Sequence, residues 1–230
     1  MSKSNIGLVE HCKKALNEAW GYVYGTYGLT ITEKILQDKL KQYPSNVKQY
    51  ESFIRQNWMG KRVADCVGLI KSYLWWNGNN PVYAQQTDVS ANGMYNAATV
   101  KETLGPTYPD LPGICLWKDG HIGVYIGNGQ VIESHGTKYG VIQTPLFGAG
   151  ATPWTHWLKC PYLSYEEDEN MFKDVPKSRW SAKYVKAAKD LGLITGNPDG
   201  TFNPEGPLTR EQAAVITVRL YEKITGRKVV

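Results

Sequence analysis

Cys66, His121, Glu133 and His135 are the residues of this chain whose types and spacing could carry covalent chemistry. An ionised thiol is a strong nucleophile. It needs a base to take its proton and a third polar group to orient that base. Cys66 lies in Asp65-Cys66-Val67-Gly68-Leu69-Ile70-Lys71-Ser72-Tyr73-Leu74, which opens abruptly after Gly60-Lys61-Arg62. Asp65 is a good N-cap, so Cys66 falls at the first helical position, where free N–H groups and the helix dipole favour a thiolate. Gly68 leaves room one turn on for a strand to approach, and Leu69, Ile70, Tyr73 and Leu74 supply a buried stripe. A lone Cys is as readily a small core residue, so a partner base decides.

The candidate base lies in Gly120-His121-Ile122-Gly123-Val124-Tyr125-Ile126-Gly127-Asn128-Gly129-Gln130-Val131-Ile132-Glu133-Ser134, which reads as a β-hairpin turning at Gly127-Asn128-Gly129. A two-residue loop at Asn128-Gly129 would pair Val124 with Glu133 and put His121 and Glu133 on opposite faces. A three-residue loop with Gly129 left-handed in a bulge pairs Gly123 with Glu133 and His121 with His135. His121, Glu133 and His135 then share one face. The second register brings a base and its orienter together and is the one expected.

The elements around these residues run helices first, then strands. Val9, Cys12, Lys13, Leu16, Ala19 and Trp20 follow a helical spacing that Gly21, Gly25 and Gly28 break. Further helices are expected over Thr32–Gln42, capped by Thr32, over Val47–Asn57, and over residues 65–76. Residues 77–113 read as long loops with one short helix. Strands are expected at Ile114–Trp117, His121–Ile126, Val131–Ser134 and Val141–Thr144. This order predicts an α+β domain on a mainly antiparallel sheet.

Asp-Cys-x-Gly-Leu at a helix start, then Pro112-Gly113 ahead of Gly120-His121-Ile122-Gly123-Val124-Tyr125-Ile126-Gly127-Asn128-Gly129, resembles the NlpC-type family of papain-like cysteine peptidases, and phage endolysins of clostridial type in particular. The resemblance runs from about Trp20 to Leu163, interrupted by a helical insertion near residues 29–60. It implies helices packed on an antiparallel sheet and hydrolysis of an amide bond in the peptidoglycan stem peptide, often a γ-D-glutamyl bond. It also allows N-acetylmuramoyl-L-alanine amidase activity in the same site. It puts the nucleophile on Cys66, the base on His121 and the orienting residue on Glu133, with His135 as the fallback. Tyr22, in Tyr22-Val23-Tyr24-Gly25, takes the place of an oxyanion or substrate contact. No metal or cofactor is implied.

Glu166-Glu167-Asp168-Glu169-Asn170 reads as a solvated acidic linker, so the expected division is a catalytic domain over 1–165, a linker over 166–170 and a second domain over 171–230. Beyond it, Phe172-Lys173-Asp174-Val175-Pro176, Trp180-Ser181, Leu191-Gly192-Leu193-Ile194-Thr195-Gly196, Pro198-Asp199-Gly200-Thr201-Phe202-Asn203-Pro204 and Leu208-Thr209-Arg210-Glu211-Gln212 resemble an S-layer homology (SLH) repeat. Helices are expected over Trp180–Leu191 and Thr209–Tyr221. The resemblance implies a small all-α unit that binds a secondary cell-wall polymer, with Trp180 and Arg210 as the binding residues. An Arg in the first turn of a helix sets a bidentate donor beside free backbone N–H groups, which suits an anion. One such unit cannot bury its own apolar faces, so its helices are expected to pack either on the catalytic domain or on the same helices of other chains, the second giving a homotrimer through the SLH unit.

With 42% hydrophobic and 20% charged residues, the chain can bury a core and is not disordered. No stretch approaches the ~20 apolar residues of a membrane span, so no membrane partner is expected. A net charge of +5 without any Lys/Arg run longer than two suits an anionic polymer and argues against nucleic acid. Met1 to Glu10 lacks a basic start followed by an apolar run. The expected course is therefore synthesis in a host cytoplasm without a signal peptide and action at the bacterial cell wall after release. Cys12, Cys115 and Cys160 show no CxxC spacing and read as buried thiols. His11 reads as a surface residue, His156 as a packing residue, and Asp88 and Asn92 as loop caps. Two rival readings are a zinc amidase on His121, His135 and a third ligand, and a non-catalytic wall-binding protein.

Overall fold

The structure is a computed structural model, and it describes residues 3–165, 172–176 and 179–229. The chain divides into two compact units, 1–166 and 167–230. The expected acidic linker, 166–170, lies outside the described residues.

In the first unit α1 (Asn5–Asn17) opens the chain, capped by the Ser4 hydroxyl on the Gly7 N–H. The short strands β1 (Tyr27–Thr30) and β2 (Arg62–Ala64) pair antiparallel, and the segment between them folds as α2 (Glu33–Gln42), α3 (Pro44–Val47) and α4 (Glu51–Asn57). This is the expected insertion, and its Ile31, Leu36, Val47 and Ile54 form a small core with Val23 and Val63 on either side of it. The single helix expected over Val47–Asn57 is instead α3, a 3-10 turn at Lys48–Tyr50 and α4. Pro44 starts a new helix rather than continuing α2, because it fixes φ and has no N–H to donate.

β2 runs directly into α5 (Cys66–Trp75), the central helix, which is buried on nearly every side. The region expected to be mostly loop carries a two-residue ladder, β3 (Trp76–Asn77) with β4 (Asn80–Pro81), then α6 (Ala91–Ala97) and β5 (Lys101–Thr103). The strands β6 (Cys115–Lys118), β7 (His121–Gly127), β8 (Gln130–Gly136), β9 (Gly140–Pro145) and β10 (His156–Leu158) complete a six-stranded antiparallel sheet of order β5-β10-β6-β7-β8-β9. The fold is α+β.

Apolar residues alternate along the central strands. Ile122, Val124 and Ile132 join Leu69, Ile70, Leu8 and Cys12 in the core between sheet and helices. Tyr125, Val131, Leu116, Trp154 and Trp157 form a second core on the other face. His11 is buried rather than superficial. Its Nε2 lies 2.7 Å from the Ser72 hydroxyl, and burial, then Lys14, Lys3 and Arg62, lowers its pKa to about 4. Cys12, Cys115 and Cys160 are buried free thiols.

The second unit contains α7 (Ala182–Asp190) and α8 (Arg210–Thr225); its core of Phe172, Val175, Ala182 and Val185 is built by α7 and the segment ahead of it, and α8 buries none of its residues. α7 starts two residues later than expected, so Trp180 stands in the turn ahead of it and is 80% exposed. α8 begins with a capping box. The Thr209 hydroxyl accepts from the Gln212 N–H and the Gln212 side chain accepts from the Thr209 N–H.

Gly68 is where the backbone itself dictates the residue. A Cβ there would stand 1.9 Å from the Thr26 carbonyl oxygen and 2.7 Å from Asp65 Oδ1. Gly68→Ala should therefore destabilise by about 1–3 kcal/mol, whereas Gly105→Ala, with open space around it, should be near neutral. Urea unfolding measures both, and equal stability of the two variants would refute the close approach.

Candidate active site

Asp65 caps α5 as expected, its Oδ1 accepting the Gly68 N–H at 2.6 Å and its Oδ2 the Gly25 N–H at 2.8 Å. Cys66 is thereby held at the first helical position. The thiol donates to the Gly120 carbonyl at 3.9 Å and lies within hydrogen-bonding influence of the N–H groups of Val67 and Ile122. Gly120 and Ile122 flank His121, so the sulfur rests against the backbone that carries the candidate base. The direction of the pKa shift is the reverse of the one expected from the helix start. Burial, and then the Asp65 carboxylate, push the thiol up to about 12 against the pull of those N–H groups. The helix start supplies a favourable dipole, but Cys66 is only 8% exposed and desolvation outweighs it.

On β7 and β8 the expected register is present by a different route. Val124 pairs with Ile132, and Gly127 with Gln130, with an irregularity between Tyr125 and Gly127. The turn is thus the two-residue Asn128-Gly129, both at positive φ, and an extra residue at Ile126 restores the register that the three-residue loop would have given. His121 Nε2 meets Glu133 Oε2 at 2.6 Å, and His135 Nδ1 meets the same oxygen at 3.0 Å.

Glu133 is fully buried. Its other oxygen, Oε1, accepts from the hydroxyls of Thr144 at 2.8 Å and Thr152 at 2.7 Å. Burial raises its pKa, but these four hydrogen bonds, His121 first, more than reverse that and bring it to about 2. An ionised carboxylate can only accept. Both imidazoles must therefore donate to it, His121 through Nε2 and His135 through Nδ1. His121 Nδ1 is left with a free lone pair, the state a general base requires.

Tyr22 is half-buried. Burial first, then Cys66 and Asp65, push its phenol up, so it stays a neutral O–H donor near the thiol. Asn92 is more than a loop cap. Its Oδ1 accepts from the Gly120 N–H at 2.8 Å and Trp117 Nε1 at 3.1 Å, and its Nδ2 donates to Asp119 at 2.8 Å, which fixes the turn leading into His121. Asp88 pairs with Lys71 at 2.7 Å. Ser134 donates to the Ala64 carbonyl at 2.6 Å, tying β8 to the residue before Asp65. Thr144, Thr152, Trp154 and Ser134 escaped sequence reasoning. Only the alternation of β8 and β9 could have pointed to Ser134 and Thr144.

Trp180 and Arg210 belong to the second unit, and both are exposed. A groove of about 620 Å³ in that unit is lined by Leu193, Phe202, Leu208, Val215, Ile216 and Arg219 among others, and by neither Trp180 nor Arg210.

Residues 172–214 match the S-layer homology domain family. The chain is similar to the S-layer protein EA1 of Bacillus anthracis, 30% identical over 131 residues, or 54% of this chain and 14% of that protein. It thus spans about one-seventh of the length of the S-layer proteins it matches. Among solved structures it is similar to the P60 domain of an antigen from M. avium subspecies paratuberculosis, with 20% identity, 68% of this chain and 96% of that chain covered, and a TM-score of 0.37. It is also similar to the peptidoglycan hydrolase RipB from Mycobacterium tuberculosis, with 18% identity, 64% and 63% covered, and a TM-score of 0.32.

The depressed Glu133 pKa has a signed consequence. The folded carboxyl titrates near 2 rather than at its ordinary 4.5, so its contribution, about 3 kcal/mol, is complete above pH ~4.5 and lost as pH falls toward 2. The native protein should lose stability across that window more steeply than Glu133→Gln. Denaturant midpoints measured at pH 5, 4 and 3 check this, and parallel slopes would contradict it.

Proposed function

We propose that the first unit is a cysteine hydrolase acting on an amide bond of peptidoglycan stem peptides, and that the SLH unit holds it on cell-wall polymer at the cell surface. The observation that carries this reading is the thiol at the start of α5, lying against the backbone on both sides of His121 while Glu133 fixes that imidazole with Nδ1 free. In the reaction, Nδ1 of His121 takes the proton of Cys66 as the sulfur attacks the amide carbonyl. The resulting imidazolium, stabilised by Glu133, gives a proton to the leaving amine. Water then hydrolyses the thioester with His121 again as base. The phenol of Tyr22 is suited to donate to the developing oxyanion. His135, bonded to the same carboxylate oxygen, supports the orienter.

In the SLH unit, the exposed Trp180 and Arg210 are the proposed contacts to the secondary cell-wall polymer. The capping box that leads into Arg210 sets its side chain in the first turn of α8. Leu208, Val215, Leu220 and Ile224 are exposed, which motivates the homotrimer as the assembly that would cover them.

A second reading, a zinc-dependent amidase, rests on one observation. His121, Glu133 and His135 bring three ligand atoms within 4.8 Å of one another, a donor set that fits catalytic zinc. Against it, ligation would replace both hydrogen bonds to Glu133 Oε2, and it gives Cys66 no role.

Cys66→Ala should abolish release of new amino termini from purified peptidoglycan, read by mass spectrometry, while alanine at Cys12, Cys115 or Cys160 should leave it. Native activity in Cys66→Ala that EDTA abolishes would refute the thiol mechanism and favour zinc. Light scattering should give a trimer for the full chain and a monomer for residues 1–165. A full-length monomer at tens of micromolar would rule the trimer out.

A further inference from the structure

One segment that no motif singles out touches both halves of the base and its orienter. Thr152 donates to Glu133 Oε1 at 2.7 Å. Two residues on, the indole of Trp154 lies flat on the His121 imidazole, ring centroids 5.3 Å apart and planes within 7°. The segment is itself held, since the Trp154 N–H donates to the Thr152 carbonyl at 2.8 Å and the Thr155 N–H to the Trp117 carbonyl at 3.0 Å. Gly123, on the strand that carries His121, makes the stack possible. A Cβ there would come within 2.9 Å of the Trp154 ring.

The hydrogen bond to Glu133 fixes one point of the imidazole, its Nε2. A single hydrogen bond is a soft restraint, and small coupled changes of χ1 and χ2 still tilt the ring and shift Nδ1. A flat aromatic partner removes that freedom. It also offers a π face to the imidazolium that forms during the reaction, and an indole does this better than a phenyl ring.

Trp154 is 8% exposed, and among the described residues its Nε1 has no hydrogen-bond partner. A buried, unpaired N–H lowers stability, so packing alone would be served at least as well by a ring without one. We infer that Trp154 is a positioning residue that sets the plane of the His121 imidazole. The inference rests on the reading of His121 as the base.

The test compares the full-length native chain with Trp154→Phe, Trp154→Leu and Trp154→Met on a soluble stem-peptide fragment, with thermal midpoints recorded for each. Trp154→Phe should keep kcat within about threefold. The two non-aromatic variants should lose at least tenfold in kcat, with KM within twofold and a folded transition retained in at least one. Native kcat in a folded Leu or Met variant would overturn the inference. So would a Phe variant as impaired as they are, or losses that fall in KM. An active Cys66→Ala control would instead show that the cysteine mechanism itself is wrong.

Discussion

A carboxylate with no exposed surface must be paid for by its hydrogen bonds, and Glu133 has four donors converging on two oxygens. Remove them and the charge is uncompensated in a low-dielectric interior; supply them and the group is ionised well below neutrality. That one constraint propagates outward. It forces both histidines to donate, which fixes their tautomers. It requires hydroxyls from β9 and from the segment around Thr152, so that these elements must close over β8. It also explains why Glu133 alternates with Ser134, whose hydroxyl reaches across the opposite face to the Ala64 carbonyl. A single strand thus orients the His121 imidazole with one residue and anchors the approach to Cys66 with the next.

Cys66 is positioned by a separate set of contacts. Asp65 binds the first turn of its own helix and the Gly25 backbone together, while Gly68 admits the Thr26 carbonyl to close approach. These contacts bury the sulfur, and burial overrides the helix dipole.

Much of this arrangement was legible in the sequence because short-range rules govern it. The cap at Asp65, the helix after it, the Gly127-Asn128-Gly129 turn and the alternation of β7 and β8 are local, and together they bring His121 and Glu133 to one face. The route to that register was not legible. A bulge at Ile126 and a three-residue loop give the same pairing, and periodicity alone does not separate them. The thiol's protonation state was also hidden, because it depends on burial by residues distant in the chain. Thr152 and Trp154 reach the site from a segment with turn composition and no period, so only tertiary structure reveals them. His11 looked superficial because its helix starts the chain, yet Ser72 and the rings of Trp20 and Trp76 enclose it. In the SLH unit, punctuating glycines and prolines carried the pattern. Gly196 illustrates why: at φ +69°, a Cβ there would overlap Phe172 at 2.1 Å.

The paired strands β1 and β2 join residues 27–30 to 62–64, so the inserted helices leave and return at neighbouring points. Loop-closure entropy grows only slowly with length once the ends are held together. The length of the span between them can therefore change at little cost in loop-closure entropy to α5, which follows. Its residues Leu36, Val47 and Ile54 pack with Val23 and Val63 of the surrounding unit, and the Trp58 indole donates to the Thr137 carbonyl at 2.8 Å, so the excursion is free to vary only where those anchor points are kept.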